Sequence, residues 1–308
     1  MNREIIILSG ASQYYISYIE IIKNLNKENI WPKNPKILIG SSSGAYLILI
    51  LSLLKDISLL NENFIETKIV YFLNTLYNII IKGYLVDSEK LKQIYLKIFK
   101  KNFPEYDFEN MTFSRLYKIT KKFCIINAFD FKTKQNIQFD PFLTPDLKCI
   151  DALTASSSLI PLISFYNYNN TSYSDACFYF NLNIEALNSL SVKKLNINTS
   201  TNNIIGIYCL INKDYDINLM NLGLINLYIN SIYLINIIYY KNYLSFNKNY
   251  KKYTNQIIKF QILDLNLFEY IYITNKQKLK LIKLGKEIAD KTIETYNKSK
   301  GKILSDIE

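Results

Sequence analysis

The sequence of 308 residues predicts a mixed α/β fold built around a parallel sheet. Short apolar runs that end in glycine alternate with segments whose apolar residues recur at helical spacing. Within the first 55 residues the resulting order is strand, loop, helix, strand, tight turn and helix. That alternation is typical of parallel α/β topology, and a hydrophobic content of 49% supplies enough apolar side chains for a buried core.

The first half of the chain contains the clearest elements. The helix that begins near Tyr15 carries its apolar residues on one face and is ended by Pro32, because proline cannot continue a helix. A glycine closes each of the two apolar strands that flank this helix. The predicted elements are, in order, a strand over 5–9, a helix over 15–25, a strand over 36–39, a helix over 45–54 and a helical region over 60–105.

The second half is interpreted from the same patterns. A turn near Thr133 joins two strands, and Pro161 stops a short helix. In the last segment, lysines lie opposite isoleucines and leucines, which predicts an amphipathic helix. The predicted elements are strands over 123–128 and 135–139, a helix over 149–158, strand candidates over 173–175 and 203–210, and a helix over 276–296.

The apolar stretch 222–240 decides whether an integral membrane protein is expected. A membrane-spanning helix needs about 20 nearly unbroken apolar residues. Here Asn226, Asn230 and Asn236 interrupt the stretch, and buried asparagine is costly in a bilayer. A core or interfacial helix is therefore favoured, and a membrane span is kept as the alternative. Because the chain has no internal repeat and no clear linker, we expect a single domain over 1–308.

The sequence contains no histidine, and this absence narrows the chemistry more than any other count. It excludes Ser-His-Asp and Cys-His arrangements, histidine-ligated zinc or haem, and imidazole as a general base. The four cysteines lie far apart without a C-x-x-C pair, which favours buried free thiols in a reducing compartment over a zinc site. No metal or other cofactor is implied. Catalysis must therefore rest on carboxylates, lysines, tyrosines, hydroxyls, thiols or backbone amides.

The net charge of +11 comes from 37 basic and 26 acidic residues. Such a charge suits nucleic acid or an anionic membrane surface. Nucleic-acid sites usually cluster arginine, whereas arginine occurs here only at Arg3 and Arg115 and the lysines are scattered. A membrane surface is therefore favoured over nucleic acid. The N-terminal apolar run is too short for a signal peptide, so we expect a cytoplasmic protein with peripheral membrane association.

The strongest chemical signal is the segment Gly40-Ser41-Ser42-Ser43-Gly44, which lies between an apolar strand and an apolar helix. A nucleophile elbow presents a serine on a strained strand-to-helix turn, which closes only if the residues two positions away on either side are small. Only Ser42 has glycine at both of those positions. The N-terminus of the following helix would favour negative charge that develops there. The alternative is a serine-rich turn without chemistry.

A serine nucleophile without histidine needs a carboxylate or a lysine as its base. Asp175 is the best candidate, because it follows a short strand-like run and precedes two small residues. Asp130, Asp140 and Asp151 compete with it, since an aspartate in a turn ordinarily serves only the turn. The residues alone therefore leave the identity of the base open.

Four blocks of the sequence, in order, resemble the patatin-like phospholipases, a family whose Ser-Asp dyad works without histidine. The resemblance covers 4–190 well, as the catalytic core, and 191–308 loosely, as a strand and helices that complete the same fold. Segments 111–116 and 127–133 resemble the linker strand region of the family, and 284–289 resembles its closing helix. The four blocks are the loop and helix over 8–25, the elbow over 40–45, the helix over 155–161 that ends in Ser-x-x-x-Pro, and the segment over 175–184.

The resemblance implies a three-layer sandwich in which a mainly parallel sheet carries helices on both faces. It also implies that Ser42 is the nucleophile, that Asp175 is the base, and that Gly40 and Gly44 shape the elbow. The substrate would be a phospholipid or another acyl-ester lipid, and no cofactor would be needed. The oxyanion would be held by backbone N–H groups, those of Gly10, Ala11, Ser12 and Ser43.

The glycine-rich loop departs from the family pattern. The family usually has three glycines followed within two residues by arginine or lysine, whereas this chain has Gly10, Ala11 and Ser12, with Tyr14 at the basic position. Residues other than glycine reach fewer backbone conformations, and losing one oxyanion donor typically costs about a hundredfold or more in rate. Two hypotheses follow: a serine acyl hydrolase that cleaves fatty-acyl esters of lipids, and a catalytically impaired patatin-fold protein that binds lipid or a protein partner.

Overall fold

A computed structural model describes residues 3–61, 64, 82–176, 181–211, 251–262 and 274–299. Eight strands within these ranges form one sheet. Their bounds are β1 (Ile5–Leu8), β2 (Ile37–Ser41), β3 (Phe123–Asp130), β4 (Gln135–Phe139), β5 (Tyr166–Tyr168), β6 (Thr171–Asp175), β7 (Ile204–Ile211) and β8 (Ile257–Ile262).

The sheet is mainly parallel. Its strand order is β5-β6-β3-β2-β1-β7-β8, and β4 pairs with β3 outside this path. Strands β3, β2, β1, β7 and β8 run parallel to their neighbours in this series, whereas β4 and β6 pair antiparallel with β3, and β5 pairs antiparallel with β6. The predicted mixed α/β fold with a mainly parallel sheet is therefore confirmed.

Seven α-helices accompany the sheet in the described part of the chain. Side-chain caps begin several of them: Asp87 accepts a hydrogen bond from the Glu89 amide before α3, and Thr274 forms a capping box with Gln277 before α7. The helix bounds are α1 (Tyr15–Lys27), α2 (Ser43–Leu53), α3 (Ser88–Asn102), α4 (Phe113–Thr120), α5 (Cys149–Ser157), α6 (Leu190–Lys194) and α7 (Asn275–Lys298).

The central strands are apolar on both sides because both faces of the sheet are covered. On β1, Ile6 and Leu8 belong to a large core that includes α1 and α2, while Ile5 and Ile7 belong to a smaller core that includes residues of α6. All four side chains are at most 1% exposed. The layered arrangement implied by the family resemblance is thus present, with the thicker helical layer on one face.

Most predicted elements occur with small shifts at their ends. The strand predicted over 135–139 coincides with β4, and the helix predicted over 276–296 lies within α7. Of the two segments that resemble the linker strand region of the family, 127–133 begins within β3, whereas 111–116 leads into α4, where the Thr112 side chain caps the first turn by accepting from the Arg115 amide. Strands β5 and β8 have no counterpart in the sequence-based prediction.

Two predictions concern segments beyond the described residues. The stretch 222–240 lies outside them, and so does most of 62–81, within the helical region predicted over 60–105. In the ranges that the structure describes, no helix has both the length and the apolar character needed to cross a membrane. The membrane-span alternative for 222–240 therefore stays a prediction.

Helix α7 packs closely on α1. A Cβ atom added at Gly285 would lie 2.6 Å from the backbone oxygen of Ser17 and 2.8 Å from Cβ of Glu20, so the glycine lets two helix backbones approach. The Ser17 hydroxyl donates to the carbonyl of Leu281 at 2.9 Å across the same contact. Because β7 also lies beside β1, C-terminal segments share the sheet and core with N-terminal ones. The prediction of one domain is consistent with this packing and stays a prediction.

We expect Gly285→Ala to lower the free energy of unfolding by about 1–3 kcal/mol, because the added methyl group pushes α1 and α7 apart. At an unhindered helix position the same change would stabilise by about 1 kcal/mol, so the sign identifies the steric effect. Urea unfolding measures the change, and Lys286→Ala at the exposed neighbouring position is the control, with a change within about 0.5 kcal/mol. A Gly285→Ala protein as stable as wild type would contradict the close approach.

Candidate active site

The turn between β2 and α2 holds Ser42 in a strained conformation. Strand β2 ends at Ser41, α2 begins at Ser43, and Ser42 between them has φ 53° and ψ −125°. A positive φ is unfavourable for any residue with a side chain and costs about 1–3 kcal/mol. The strain is what a sharp strand-to-helix turn requires, and it matches the geometry expected of a nucleophile elbow.

The glycines on either side of Ser42 are required by close packing. A Cβ atom at Gly40 would lie 2.6 Å from the backbone oxygen of Gly44, and one at Gly44 would lie 2.4 Å from the backbone oxygen of Leu8. Real Cβ atoms essentially never approach that closely, so neither position accepts even alanine without a backbone shift. The predicted roles of Gly40 and Gly44 in shaping the elbow therefore have a direct steric basis.

Strand β3 brings the ends of β2 and β6 together. Strand β2 pairs with β3 as far as Ser41, opposite Asn127, and β6 pairs with it from Asp175, opposite the next residue, Ala128. Strand β4 pairs with residues 126–130 of β3, which overlap both stretches, so it occupies one edge of β3 and leaves the other edge to β2 and β6. The two strands run toward each other along that edge. Ser42, which follows β2, and Asp175, which ends β6, therefore lie at the same point of the sheet.

Both members of this candidate dyad are shielded from water. Asp175 is fully buried, and Ser42 is 9% exposed. The backbone N–H of Asp175 donates to the carbonyl of Ser158 at 3.1 Å, which anchors the end of β6 to the residue after α5. Removing water from a carboxylate makes it a better proton acceptor, as a base that replaces histidine must be.

The three competing aspartates have other partners. Asp130 and Asp140 each accept two backbone N–H bonds within their own turns, at 2.7 to 3.2 Å. Asp151 pairs with Nζ of Lys92 at 2.8 Å and accepts a hydrogen bond from the Tyr166 hydroxyl at 2.7 Å. Asp130 ends β3 and Asp140 follows β4, but of the four aspartates only Asp175 ends the strand that shares an edge of β3 with β2. The geometry therefore favours Asp175 as the candidate base.

The loop after β1 lies directly against Ser42. A Cβ atom at Gly10 would be 2.9 Å from Cβ of Ser42. The N–H of Gly10 donates to Oδ1 of Asn181 at 2.8 Å, and Nδ2 of Asn181 donates back to the Gly10 carbonyl at 3.0 Å. The N–H of Ala11 donates to the hydroxyl oxygen of Ser43 at 2.8 Å. Two of the four predicted oxyanion donors are thus engaged by side chains of the protein itself.

The other two predicted donors have different surroundings. Ser12 has φ 46°, so the loop keeps a left-handed backbone at a position where the family has glycine. Ser43 is the first residue of α2, and an N–H in the first turn of a helix has no carbonyl partner within that helix. The positive end of the α2 dipole reinforces this N–H as a site for negative charge.

Three buried asparagines that the sequence analysis does not single out support the site. Beside Asn181, Nδ2 of Asn127 donates to the Gly40 carbonyl at 3.2 Å, and Nδ2 of Asn183 donates to Oδ1 of Asn127 at 2.6 Å. Asparagine is abundant in this chain, so its presence in a motif carries little information. The available sequence signal is that Asn181 and Asn183 fall in the same block as Asp175.

Tyr95 on α3 is a fourth residue near the site that no sequence motif singles out. Its hydroxyl donates to the Ser157 hydroxyl oxygen at 3.1 Å. Burial and, to a smaller extent, the nearby charge of Asp175 raise the pKa of Tyr95 to about 12, although the hydrogen bond to Ser157 acts in the opposite direction. Tyr95 therefore stays protonated at neutral pH and contributes a hydroxyl, without a charge, to the surroundings of the candidate base.

The cysteines offer no rival nucleophile or metal site among the described residues. Cys124, Cys149 and Cys209 are buried, and burial raises the pKa of each thiol, that of Cys124 to about 12. Within the described ranges, no group of three or more aspartate, glutamate, cysteine or histidine side chains could hold a metal ion. The fourth cysteine, Cys177, lies outside those ranges.

A model of the patatin-like phospholipase family matches residues 6–188, which is more than half of the chain. The chain belongs to the patatin-like phospholipase family. The matched region contains the Ser42 turn, the preceding loop and Asp175, and it coincides closely with the predicted core over 4–190. The family membership predicted from the four sequence blocks is confirmed.

Solved structures extend the likeness to the fold of this patatin-like protein. VipD from Legionella pneumophila is 12% identical, has a TM-score of 0.62, and aligns over 96% of this chain and 67% of its own. ExoU, a type III effector of Pseudomonas aeruginosa, is 11% identical, has a TM-score of 0.48, and aligns over 96% of this chain and 53% of its own. This chain thus spans about two thirds of VipD and about half of ExoU. A comparison with curated proteins finds no match.

The positive φ of Ser42 predicts that glycine and alanine substitutions there rank in stability in the opposite order from the same substitutions within a helix. Glycine relieves a positive φ and alanine does not, so Ser42→Gly should be more stable than Ser42→Ala by about 1 kcal/mol. At Ser52, within α2, the same pair should have the opposite order, because alanine is the better helix former by about 1 kcal/mol. Guanidinium unfolding of the four variants measures both differences. Equal signs at the two positions would contradict the strained turn.

The raised pKa of Tyr95 predicts an effect at alkaline pH. A tyrosine in the unfolded chain titrates near pH 10, so the folded state holds this proton more tightly. The stability it contributes is complete below about pH 10 and is lost as the pH rises toward 12. Unfolding free energy should therefore fall more steeply with pH in wild type than in Tyr95→Phe, which has no proton to lose. Parallel pH profiles would show that the Tyr95 hydroxyl is not held in this way.

Proposed function

We propose that this patatin-like protein is a serine acyl hydrolase in which Ser42 and Asp175 form a catalytic dyad. The observation that carries the proposal is the meeting of β2 and β6 on one edge of β3, which sets a strained serine beside a buried carboxylate. No histidine is needed in this arrangement, and the chain contains none. The substrate class, fatty-acyl esters of phospholipids or other lipids, follows from family membership.

The first chemical step forms an acyl-enzyme. Asp175 takes the proton of the Ser42 hydroxyl while Oγ of Ser42 attacks the ester carbonyl carbon, and the carbonyl oxygen becomes an oxyanion. Collapse of this intermediate breaks the bond between the acyl carbon and the alkoxy oxygen. The departing alcohol, which is the lysolipid, takes the proton from Asp175. The fatty acyl group stays on Ser42 as an ester.

Water then releases the acyl group. Asp175 takes a proton from a water molecule as its oxygen attacks the acyl carbon, and a second oxyanion forms at the same place. Its collapse breaks the bond to Oγ of Ser42, which regains the proton, and free fatty acid leaves. In both steps the N–H of Ser43 and the N-terminus of α2 stabilise the negative charge.

The loop after β1 limits the rate of hydrolysis, because it determines how many backbone N–H groups can stabilise the oxyanion. For Gly10 and Ala11 to donate to an oxyanion, their N–H groups must release Asn181 and the Ser43 hydroxyl. A permanently engaged loop would leave fewer donors, and each lost donor costs on the order of a hundredfold in rate. This observation motivates the second candidate function, a catalytically impaired patatin-fold protein that binds lipid or a protein partner.

A peripheral membrane surface is the proposed place of action. On α7 the lysines at positions 276, 280, 283, 286 and 291 are exposed, and the chain carries a net charge of +11. Anionic lipid headgroups attract such lysines when they lie within about a Debye length of the bilayer. We propose no nucleic-acid partner, because arginine is scarce and the lysines show no cluster typical of such a site.

A fluorophosphonate probe tests the dyad, because it reacts covalently only with an activated serine. We expect the wild-type protein to be labelled, Ser42→Ala to be unlabelled, and Asp175→Asn to be labelled about 10²–10⁴ times more slowly. Fatty-acid release from phosphatidylcholine vesicles that contain phosphatidylserine should follow the same order. Ser52→Ala on α2 and Asp130→Asn on β3 are matched controls that should retain wild-type rates.

The outcomes separate the two candidate functions. Fatty-acid release that persists in both Ser42→Ala and Asp175→Asn would overturn the dyad. A wild-type protein that binds the vesicles but neither takes the label nor releases fatty acid would overturn the hydrolase and support the binding protein. Labelling of wild type that disappears in Ser42→Ala would exclude the non-catalytic function.

A further inference from the structure

Three consecutive serines at the end of α5 touch three different parts of the candidate site. The hydroxyl oxygen of Ser156 accepts a hydrogen bond from the backbone N–H of Ser42 at 2.8 Å. The hydroxyl oxygen of Ser157 accepts from Tyr95 at 3.1 Å. The carbonyl of Ser158 accepts from the backbone N–H of Asp175 at 3.1 Å. One short segment is therefore bonded to the nucleophile, to α3 and to the base.

The backbone N–H of Ser42 has few possible acceptors other than the Ser156 hydroxyl oxygen. Ser42 lies after the last paired residue of β2 and before the first residue of α2, so neither the sheet nor the helix supplies a carbonyl for its N–H. Ser156 is fully buried, so water does not replace it. The Ser156 hydroxyl oxygen thus satisfies a buried donor at the most strained residue of the turn.

The bond to Asp175 is reinforced by a second one. The Ser174 hydroxyl donates to the same Ser158 carbonyl at 2.8 Å, so two consecutive residues of β6 are held by one acceptor. The Ser158 hydroxyl in turn donates to the carbonyl of Thr154 at 2.8 Å, which ties the segment to the helix it ends. Ser158 and Ser174 are fully buried. Hydrogen bonds to the end of α5 therefore hold the proposed base in position, as they hold the proposed nucleophile.

We propose that Ser156 is a positioning residue and that the Ser156–Ser158 segment sets the distance between Ser42 and Asp175. The proposal rests on the proposed function, since it assumes that these two residues react together. Proton transfer between them tolerates little displacement, and a shift of about 1 Å at a reacting group can cost on the order of a hundredfold in rate. A hydroxyl at 156 matters because its oxygen, which alanine lacks, holds the Ser42 amide in place.

The test compares Ser156→Ala with Thr154→Val. Thr154 is equally buried on the same helix, and its hydroxyl donates only to the Ile150 carbonyl within that helix. With a short-chain p-nitrophenyl ester, we expect Ser156→Ala to lower kcat about 10- to 100-fold with KM changed less than about twofold, because binding does not depend on the Ser42 amide. Fluorophosphonate labelling should slow by a similar factor. Thr154→Val should stay within about threefold of wild type in both assays.

Two further measurements keep the proposal falsifiable. Ser156→Cys keeps the size of the side chain with a weaker acceptor, so its kcat should fall between wild type and Ser156→Ala, and it decides the question if the alanine variant does not fold. Amide hydrogen exchange at Ser42 should be about tenfold faster or more in Ser156→Ala than in wild type and unchanged in Thr154→Val.

The outcomes distinguish this inference from the proposed function. If wild type is labelled and Ser156→Ala matches Thr154→Val in kcat and labelling, the positioning role is overturned while the hydrolase stands. If wild type neither takes the label nor hydrolyses the ester, the hydrolase is overturned, and the exchange rate at Ser42 alone decides whether Ser156 holds the turn. Unchanged exchange in Ser156→Ala would overturn the positioning role in either case.

Discussion

The pairing of one edge of β3 with two different strands is the constraint on which the site depends. Strand β2 uses that edge up to Asn127, and β6 uses it from Ala128 onward. The register of β3 therefore decides where Ser42 and Asp175, the proposed nucleophile and base, meet. A shift by one residue would turn every side chain of the strand to the other face and separate the two ends. The apolar layers on both faces hold that register, so the core and the candidate chemistry are specified by the same contacts.

Around the junction of β2, β3 and β6, small and polar residues make close contacts and hydrogen bonds that large apolar side chains cannot make. The Gly44 backbone lies so close to Leu8 that no side chain fits between them, which lets α2 begin directly beside β1. The Asn127 side chain donates to the Gly40 carbonyl near the end of β2, and the Asn183 side chain in turn donates to that of Asn127. The strain at Ser42 persists because these neighbours over-determine the turn.

The elements that could be predicted from the sequence are those with a local signature. The alternation of strands and helices, the Ser42 turn and the position of Asp175 at a strand end all follow from short patterns and from the family blocks. The contacts of Tyr95, Ser156 and Asn181 could not be found in this way, although Ser156 and Asn181 fall within family blocks, because their partners are distant in sequence and their residue types are common in this chain. The helix that begins within 111–116 follows from a local cap, because the Thr112 side chain accepts from the Arg115 amide at the start of α4.

In the loop after β1, the backbone amides of Gly10 and Ala11 already donate to side chains of the protein. These bonds would affect how strongly the loop binds the ground state and the transition state of the proposed reaction. If the Gly10 and Ala11 amides hold the oxyanion as proposed, Oδ1 of Asn181 and the hydroxyl oxygen of Ser43 compete with it, and the fold fixes their effective concentration at these amides. The carbonyl of a bound ester is a neutral acceptor and has little advantage over them. A full oxyanion is a stronger acceptor, so only the oxyanion would displace them from the two N–H groups. Such a loop would bind the oxyanion of the transition state more tightly than the neutral carbonyl of the substrate. A difference in affinity of this kind lowers the activation barrier.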